Sequence, residues 1–255
     1  MNDAIKSEIA LPELVPPRLD ALPRDEIETM IKAGEEVNEC FRVLEKAGLN
    51  IVGEMLKGQG TFYEFDHYPA GDVYDEETHA QYYYHAHRGI AGEHGHFHTF
   101  LRQGGIPGDV RPVPYDGEAE WPSGSDAVCH FVAVSLDVYG YPLGLFSTNR
   151  WVTDEVWYAA PDMIRMLDKF LIDHAYPSWP ANRWLSAMFR LFRHDIEALL
   201  RHRDAVVDAW REANPDKDVF EDRELEMTGQ LRISIKQRMQ ELRALAAGNG
   251  QLSEM

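Results

Sequence analysis

The sequence predicts an α+β fold in which an antiparallel β-sheet carries a histidine-rich hairpin and packs with N-terminal and C-terminal helices. Residues 25–47, and most of the chain after residue 161, place apolar side chains at the three- to four-residue spacing of amphipathic helices. Between them, short aromatic and β-branched runs bounded by glycine and proline are typical of strands joined in hairpins. Because helices precede and follow the strands rather than alternate with them, the order indicates α+β.

The N-terminal quarter begins with an arm. The first 24 residues contain four prolines, which forbid a continuous helix. We expect an extended arm that packs on the body or on the partner subunit of a homo-oligomer. An amphipathic helix over residues 25–47 follows, and Gly48 marks its end. Residues 61–68 are then predicted to form an aromatic strand that ends at Pro69 and Gly71.

A histidine-dense stretch comes next, at residues 82–102, with the sequence YYYHAHRGIAGEHGHFHTFLR. Its histidines are His85, His87, His94, His96 and His98. Alternate residues of a strand share a face, so two strands closed by a turn at residues 88–93 bring all five imidazoles to one side. In this register His85 lies opposite His96 and His87 opposite His94, with Cβ atoms about 4.5–5.5 Å apart. Two rings can then reach one ion, and the stretch is predicted to bind a transition metal.

Two other interpretations of this stretch remain open. A helix over residues 93–102 would place only His94 and His98 on one face and would contain Gly95, at a cost of about 1 kcal/mol. Gly104 and Gly105 could cap that helix. A solvated, pH-sensitive histidine surface without a metal is the other interpretation.

The second half of the β region contains a long loop and a hairpin. Residues 104–124 are rich in glycine and proline and are predicted to form a loop in which Trp121 covers a pocket. Residues 128–137 and 142–148 form the predicted hairpin. His130 shares a strand face with valines, as a core histidine does. If its strand pairs with the histidine stretch, His130 completes the coordination shell.

The last third of the chain is predicted to be helical. Asn182 is the expected N-cap of a long helix that reaches about residue 213, and a charged helix spans residues 221–246. Arg150, which precedes this region, either binds a substrate carboxylate or pairs with an acidic neighbour. The predicted organisation is an extended arm at residues 1–24, an α+β metal-site region at 25–160 and a helical region at 161–247, packed as one domain.

The composition limits the partners. The chain has 25 basic and 43 acidic residues, a net charge of −18. Such a surface repels phosphate backbones and anionic lipid, so we expect no nucleic acid and no membrane partner. The polar N-terminus predicts a cytoplasmic location. Cys40 and Cys129 do not form a disulfide framework and are expected to be buried.

The segment HAHRGIAGE resembles the metal motif of cupins, in which an HxH pair is followed by a glutamate and a later strand supplies a further histidine. The resemblance covers this one short stretch. It implies that His85, His87 and Glu93 are ligands and leaves the later histidine open.

These residues define the candidate site and its chemistry. Neutral imidazoles with a carboxylate suit Fe²⁺, Cu²⁺ or Zn²⁺. Aromatic residues around the stretch could line an apolar pocket for a small-molecule substrate, which favours a mononuclear non-heme iron or copper oxidoreductase. A zinc-dependent hydrolase is the alternative, and a non-catalytic metal-binding protein would instead close its coordination shell.

The candidate metal ligands are His85, His87, Glu93, His94, His96, His98 and His130, with His67 and His79 in second rank. The candidate catalytic residues are Glu93 and Tyr83. The candidate pocket aromatics are Tyr82, Tyr83, Tyr84, Phe97, Phe100, Trp121 and Trp151.

Overall fold

A six-stranded antiparallel sheet forms the centre of the fold, which a computed structural model describes for residues 10–252. The strands are β1 (Tyr68–Tyr74), β2 (Ala80–His85), β3 (Gly95–Arg102), β4 (Val128–Leu136), β5 (Pro142–Thr148) and β6 (Met227–Arg232). Strands β1 to β5 form a meander, and β6 returns after most of the helices to pair with β5. This arrangement confirms the predicted α+β class.

Helices cover one face of the sheet. They are α1 (Arg24–Lys46), α2 (Ile51–Leu56), α3 (Arg150–Thr153), α4 (Ala160–Met166), α5 (Trp179–Leu191), α6 (Arg193–Ala213) and α7 (Ile235–Leu252). The ring centre of Trp184 in α5 lies 6.0 Å from those of Phe41 in α1 and Phe97 in β3. N-terminal helix, C-terminal helices and sheet therefore share one hydrophobic core. Among the described residues, no helix combines the length and the hydropathy needed to cross a bilayer.

The register of β2 and β3 decides which side chains share a face. Ala80 pairs with Leu101 and His85 with His96, which is the register that the histidine spacing predicts. The even-numbered tyrosines of β2 therefore face the helices, and His85 faces the other side, together with His96 and His98. The helical interpretation is wrong because β3 is a strand, and a solvated surface is excluded because these three histidines are buried.

Several elements lie close to their predicted positions. Helix α1 begins at Arg24 and ends at Lys46, next to Gly48 in a left-handed conformation. The β4–β5 hairpin matches the predicted strands to within one residue. Residues 1–9 of the predicted arm lie outside the described residues, and the rest of the arm reaches the core through Leu19. The division into three regions stays a prediction.

The strand predicted over residues 61–68 is wrong. Strand β1 instead starts at Tyr68 and continues through Pro69 and Gly71. A proline is tolerated there because β1 is an edge strand, and one side of its backbone forms no ladder hydrogen bonds. The aromatic side chains of the preceding segment pack on histidines: Phe62 lies 5.6 Å from His94 and Phe65 lies 5.1 Å from His87, centre to centre.

The long helix capped by Asn182 is also wrong. Helix α5 begins at Trp179 and ends at Leu191, and Phe192 separates it from α6. Asn182 lies inside α5, where its side chain is buried against the sheet. It accepts a hydrogen bond from the Tyr82 hydroxyl at 2.5 Å and donates to two backbone carbonyls. The polar residue therefore joins a helix to the sheet rather than starting a helix.

The predicted final helix over residues 221–246 is wrong in its first half. That half contains β6, which completes the sheet beside β5, and α7 begins only at Ile235. The short strand places Thr228 against Ser147, hydroxyl to hydroxyl at 2.8 Å, and Gly229 against the ring of His202 in α6. Its pairing partner lies about 80 positions earlier in the chain, so local patterns do not indicate it.

Candidate metal centre

The sheet face away from the helices carries a histidine cluster, which consists of His85, His87, His96, His98 and His130. Strand pairing sets His85 beside His96, Tyr83 beside His98, and His130 beside Phe100. The backbones of His96 and His98 pair with strands on both sides, whereas those of His85 and His130 pair on one side. Strand β4 does pair with β3, which is the condition under which His130 was expected to join the site, and the pairing brings His130 to the same face.

Three histidines converge on one point. Each of His85, His87 and His96 offers a ring nitrogen, and these nitrogens all lie within 4.8 Å of one another. The ring centres are 4.6 Å apart for His85 and His87, 4.5 Å for His85 and His96, and 5.2 Å for His87 and His96. An imidazole bound to a metal at about 2.0–2.1 Å has its centre about 3.2 Å from the ion, so rings at 90–110° are about 4.5–5.2 Å apart. The observed spacings match that geometry.

Two of these rings have buried nitrogens without a partner. The Nε2 atoms of His85 and His96 are shielded from solvent and form no hydrogen bond within residues 10–252, and their residues are 8% and 0% exposed. Burying a polar atom without a partner costs roughly 1–3 kcal/mol, so native structures rarely leave one unpaired. Two such atoms facing a third imidazole could hold a metal ion.

The three rings are held in the neutral form that binds metals. Burial, together with the neighbouring His96 and His87, lowers the pKa of His85 to about 2. Burial also lowers the pKa of His96, against the raising effect of Glu93, and it lowers the pKa of His87. An imidazole must be deprotonated to coordinate, so the site need not release protons near neutral pH before it binds an ion.

Glu93 bonds His96 and is not part of the converging group. Its carboxylate accepts a hydrogen bond from His96 Nδ1 at 2.8 Å and another from Arg88 at 3.3 Å. Burial alone would raise the pKa of Glu93, but the His96 hydrogen bond and the Arg88 charge outweigh it and lower that pKa. A carboxylate that holds one ring nitrogen leaves the other free for a metal and fixes the tautomer. The cupin resemblance implies that Glu93 is a metal ligand, whereas in this structure Glu93 binds the ring of His96.

His98 and His130 form a hydrogen-bonded pair beside the group of three. His98 Nδ1 lies 3.0 Å from His130 Nε2, and the His98 ring centre is 5.0 Å from those of both His85 and His96. Burial lowers the pKa of His130 to about 3 and takes that of His98 well below its usual value. The structure thus brings both residues to the cluster, where one nitrogen of each ring pairs with the other ring, and the converging group consists of His85, His87 and His96.

His94 departs from the predicted common face. Its Nδ1 bonds the hydroxyl of Tyr84 at 2.6 Å, and Tyr84 belongs to the core face. The reason is that the β2–β3 ladder ends at the His85–His96 pair, so strand alternation no longer fixes the residues beyond it. His87 also lies beyond the ladder, and its ring turns back toward His85.

Of the predicted pocket aromatics, Tyr83 and Phe100 lie in the cluster. Tyr83 is buried, with its ring centre 5.2 Å from those of His85 and His98, and burial raises its pKa. Phe100 lies 5.1 Å from His130. Tyr82, Tyr84 and Phe97 belong to the core, so they do not line a pocket on this face.

The predicted tryptophans lie elsewhere. Trp121 stacks on Tyr115 at 4.3 Å, and Trp151 donates to backbone carbonyls near residue 225. Arg150 forms ion pairs with Glu221 and Asp154. This agrees with the interpretation that it pairs with an acidic neighbour.

Sequence reasoning missed three neighbours of the site. Phe65 stacks on His87 from the segment before β1, and Phe146 of β5 lies 5.1 Å from His96. Arg88 lies over Phe146 while it bonds Glu93. His67, a second-rank candidate, lies against Tyr83, whereas His79 pairs with Tyr74 away from the cluster. None of these contacts follows from a local pattern.

A domain family, described as a domain of unknown function (DUF6969), matches residues 31–233. The chain belongs to this family. The match includes all six strands of this DUF6969 protein and the whole histidine cluster. Comparison with curated proteins finds no match, and comparison with solved structures finds none either. These comparisons therefore indicate no function for the DUF6969 chain, and its function is inferred from the geometry of the site.

Proposed function

We propose that this chain is a mononuclear metalloenzyme, with the ion held by His85, His87 and His96, that carries out an oxygen-dependent oxidation of a small organic substrate. The observation that carries the proposal is the pair of buried, unpartnered Nε2 atoms of His85 and His96 within reach of a nitrogen of His87. Uncharged ring nitrogens with no partner are what iron, copper and zinc bind readily.

The number of protein ligands supports a catalytic rather than a storage site. Within the part of the chain that the structure describes, the converging group contains these three histidines. Three protein ligands leave at least one position for water or substrate, which is the pattern of catalytic ions. A storage or structural site would instead surround its ion with protein atoms.

The surroundings support oxidation of an organic molecule. Tyr83 lies beside His85 and Phe146 beside His96, and Phe100 lies next to the neighbouring His98, so these side chains provide apolar surface around the site. Iron or copper, when bound, would supply redox chemistry with oxygen, while the protein side chains bind the substrate and exclude water.

A zinc-dependent hydrolase is the second candidate, and one observation favours it. Glu93 is engaged with His96, so the converging set is made of imidazoles alone. Three histidines with a bound water are a known ligand set of catalytic zinc, which lowers the pKa of that water to about 7. The identity of the ion therefore separates the two candidates.

The first test is metal content. We expect protein purified without added metal to hold close to one iron, copper or zinc per chain by elemental analysis. His85→Gln and His96→Gln should each lose most of it, because each removes a ligand, whereas His202→Gln, a change on α6 against β6, should keep it. Unchanged metal content in both cluster variants would refute the site. An absorption spectrum under air and a screen for substrate-dependent oxygen consumption then distinguish oxidoreductase from hydrolase.

The small-molecule substrate belongs to this proposal. The predicted lack of nucleic-acid and membrane partners, the homo-oligomer and the cytoplasmic location stay predictions.

A further inference from the structure

His67 lies at the boundary between the buried rings and solvent. Its ring lies flat on Tyr83, with centres 3.5 Å apart and planes 9° apart. The same ring stands edge-on to His85 at 5.7 Å. Its side chain is 43% exposed, so the ring contacts Tyr83 and His85 and is also open to solvent. A molecule approaching the ion from this side would meet His67.

Asp72 fixes the orientation and the tautomer of this ring. The Asp72 Oδ1 atom lies 2.9 Å from His67 Nδ1. A carboxylate only accepts hydrogen bonds, so Nδ1 carries the hydrogen and Nε2 of the neutral ring carries a lone pair. Within the described residues His67 forms no hydrogen bond through Nε2. The nitrogen is therefore available to a ligand.

Asp72 is itself held in place. Its other oxygen accepts a hydrogen bond from Gln81 Nε2 at 2.6 Å, and Gln81 Oε1 accepts one from Arg102. Asp72 has a φ of 60° within the irregular part of β1. Non-glycine residues rarely adopt this left-handed conformation, and the network supports it here. The chain Arg102, Gln81, Asp72, His67 thus runs from the sheet to the rim of the candidate metal centre.

We propose that His67 is a substrate-positioning residue, which accepts through Nε2 a hydrogen bond from the molecule bound at the open position of the ion. The inference rests on the proposed function, since it requires an ion held by His85, His87 and His96. It specifies the substrate class: a small organic molecule that carries an N–H or O–H group next to its metal-binding atom. The rings of Tyr83 and Phe65 provide apolar contact for the rest of that molecule.

A pair of matched probes tests this hydrogen bond without knowledge of the substrate. Acetohydroxamic acid and N-methylacetohydroxamic acid bind metals through the same two oxygens, but only the first has an N–H group. We expect the Co²⁺-loaded protein to bind acetohydroxamic acid about three- to tenfold more tightly, the ratio that corresponds to one net hydrogen bond. The change of the cobalt visible spectrum during titration gives both affinities.

Variants assign the preference to His67. His67→Phe keeps the stacking on Tyr83 but removes the acceptor, and it should abolish the preference. Asp72→Asn should do the same by another route. Gln81 needs an oxygen at position 72, so the Asn amide would donate to His67 Nδ1 and force the hydrogen onto Nε2. Asp66→Asn, an exposed change in the same segment, is the matched control and should keep the wild-type ratio.

The outcomes separate this inference from the proposed function. If wild-type protein binds no Co²⁺, the metal centre itself is refuted. If Co²⁺ binds equally in all four proteins but the wild type shows no preference, or His67→Phe and Asp72→Asn retain it, the positioning role is overturned and the metal centre stands. Loss of the preference in both variants, with Co²⁺ affinity unchanged, supports the role.

Discussion

At the scale of single residues, a substitution of Glu93 tests whether its carboxylate strengthens metal binding by His96. We expect Glu93→Gln to lower Zn²⁺ or Co²⁺ affinity about 10- to 100-fold, the usual effect of losing a carboxylate behind a ligating histidine. The amide is neutral and no longer strengthens the basicity of His96 through the 2.8 Å hydrogen bond. Competition with a chromophoric chelator measures the affinity. Glu118→Gln, an exposed change elsewhere, is the control, and equal affinity in the two variants would contradict the assignment.

The residues that the sequence could indicate are those fixed by strand alternation. His85, His96 and His98 share a face because of their odd and even positions on paired strands, and this was predictable. The role of Glu93 was not, because a carboxylate three residues from His96 can bind an ion or the ring, and only the turn geometry decides. The common face predicted for His94 was wrong for a related reason: His94 lies one residue before strand β3 and two residues beyond the last β2–β3 pair.

At the scale of elements, residues 62–67 form a strap across the exposed side of the cluster. The Phe65 backbone N–H donates to Ala86 at 3.2 Å, its ring stacks on His87, and Phe65 is still 67% exposed. Tyr63, on the same strap, is 61% exposed. The strap therefore covers the most accessible of the three candidate ligands.

We expect Phe65→Ala to speed the removal of bound metal by EDTA about two- to tenfold, because an aromatic contact contributes about 0.5–1.5 kcal/mol. The metal content at equilibrium should not change, since no ligand is lost. Tyr63→Ala is the matched control and should show the wild-type rate. Stopped-flow absorbance of the Co²⁺-loaded protein gives the rates. Identical rates in the two variants would mean that the strap does not limit access.

Elements were predictable where local pattern and tertiary pairing agree. Helix α1 has a continuous apolar stripe and a glycine stop, and the β4–β5 hairpin has a tight turn between β-rich runs. Strand β6 is short, lies at an edge and has one buried residue, Thr228, so the sequence around it was interpreted as part of a charged helix. The break between α5 and α6 contains no proline or glycine, so nothing local marks it.

At the scale of the whole molecule, the buried titratable groups make stability depend on pH. The folded-state pKa is about 2 for His85 and about 3 for His130, far below the ordinary value of about 6.5. The unfolded chain therefore binds more protons below pH 6.5, and stability present above that pH is lost as the pH falls. Glu155 acts in the opposite direction, because burial raises its pKa to about 7 and its contribution is lost as the pH rises toward 7.

The magnitudes decide which effect dominates. Between pH 7 and pH 5, His85 and His130 together lower the free energy of unfolding by about 4 kcal/mol. Protonation of Glu155 raises it by about 2 kcal/mol over the same range. His98, whose pKa is also lowered by burial, adds to the loss.

We therefore expect the metal-free protein to lose roughly 2 kcal/mol or more of its free energy of unfolding at pH 5, measured by urea denaturation. His130→Gln should flatten this dependence, because it removes one group that the unfolded state protonates, whereas His202→Gln should change it less, since His202 is only partly buried. A metal-free protein that is as stable at pH 5 as at pH 7 would show that these imidazoles are not held neutral, and the case for a preformed ligand set would fail with it.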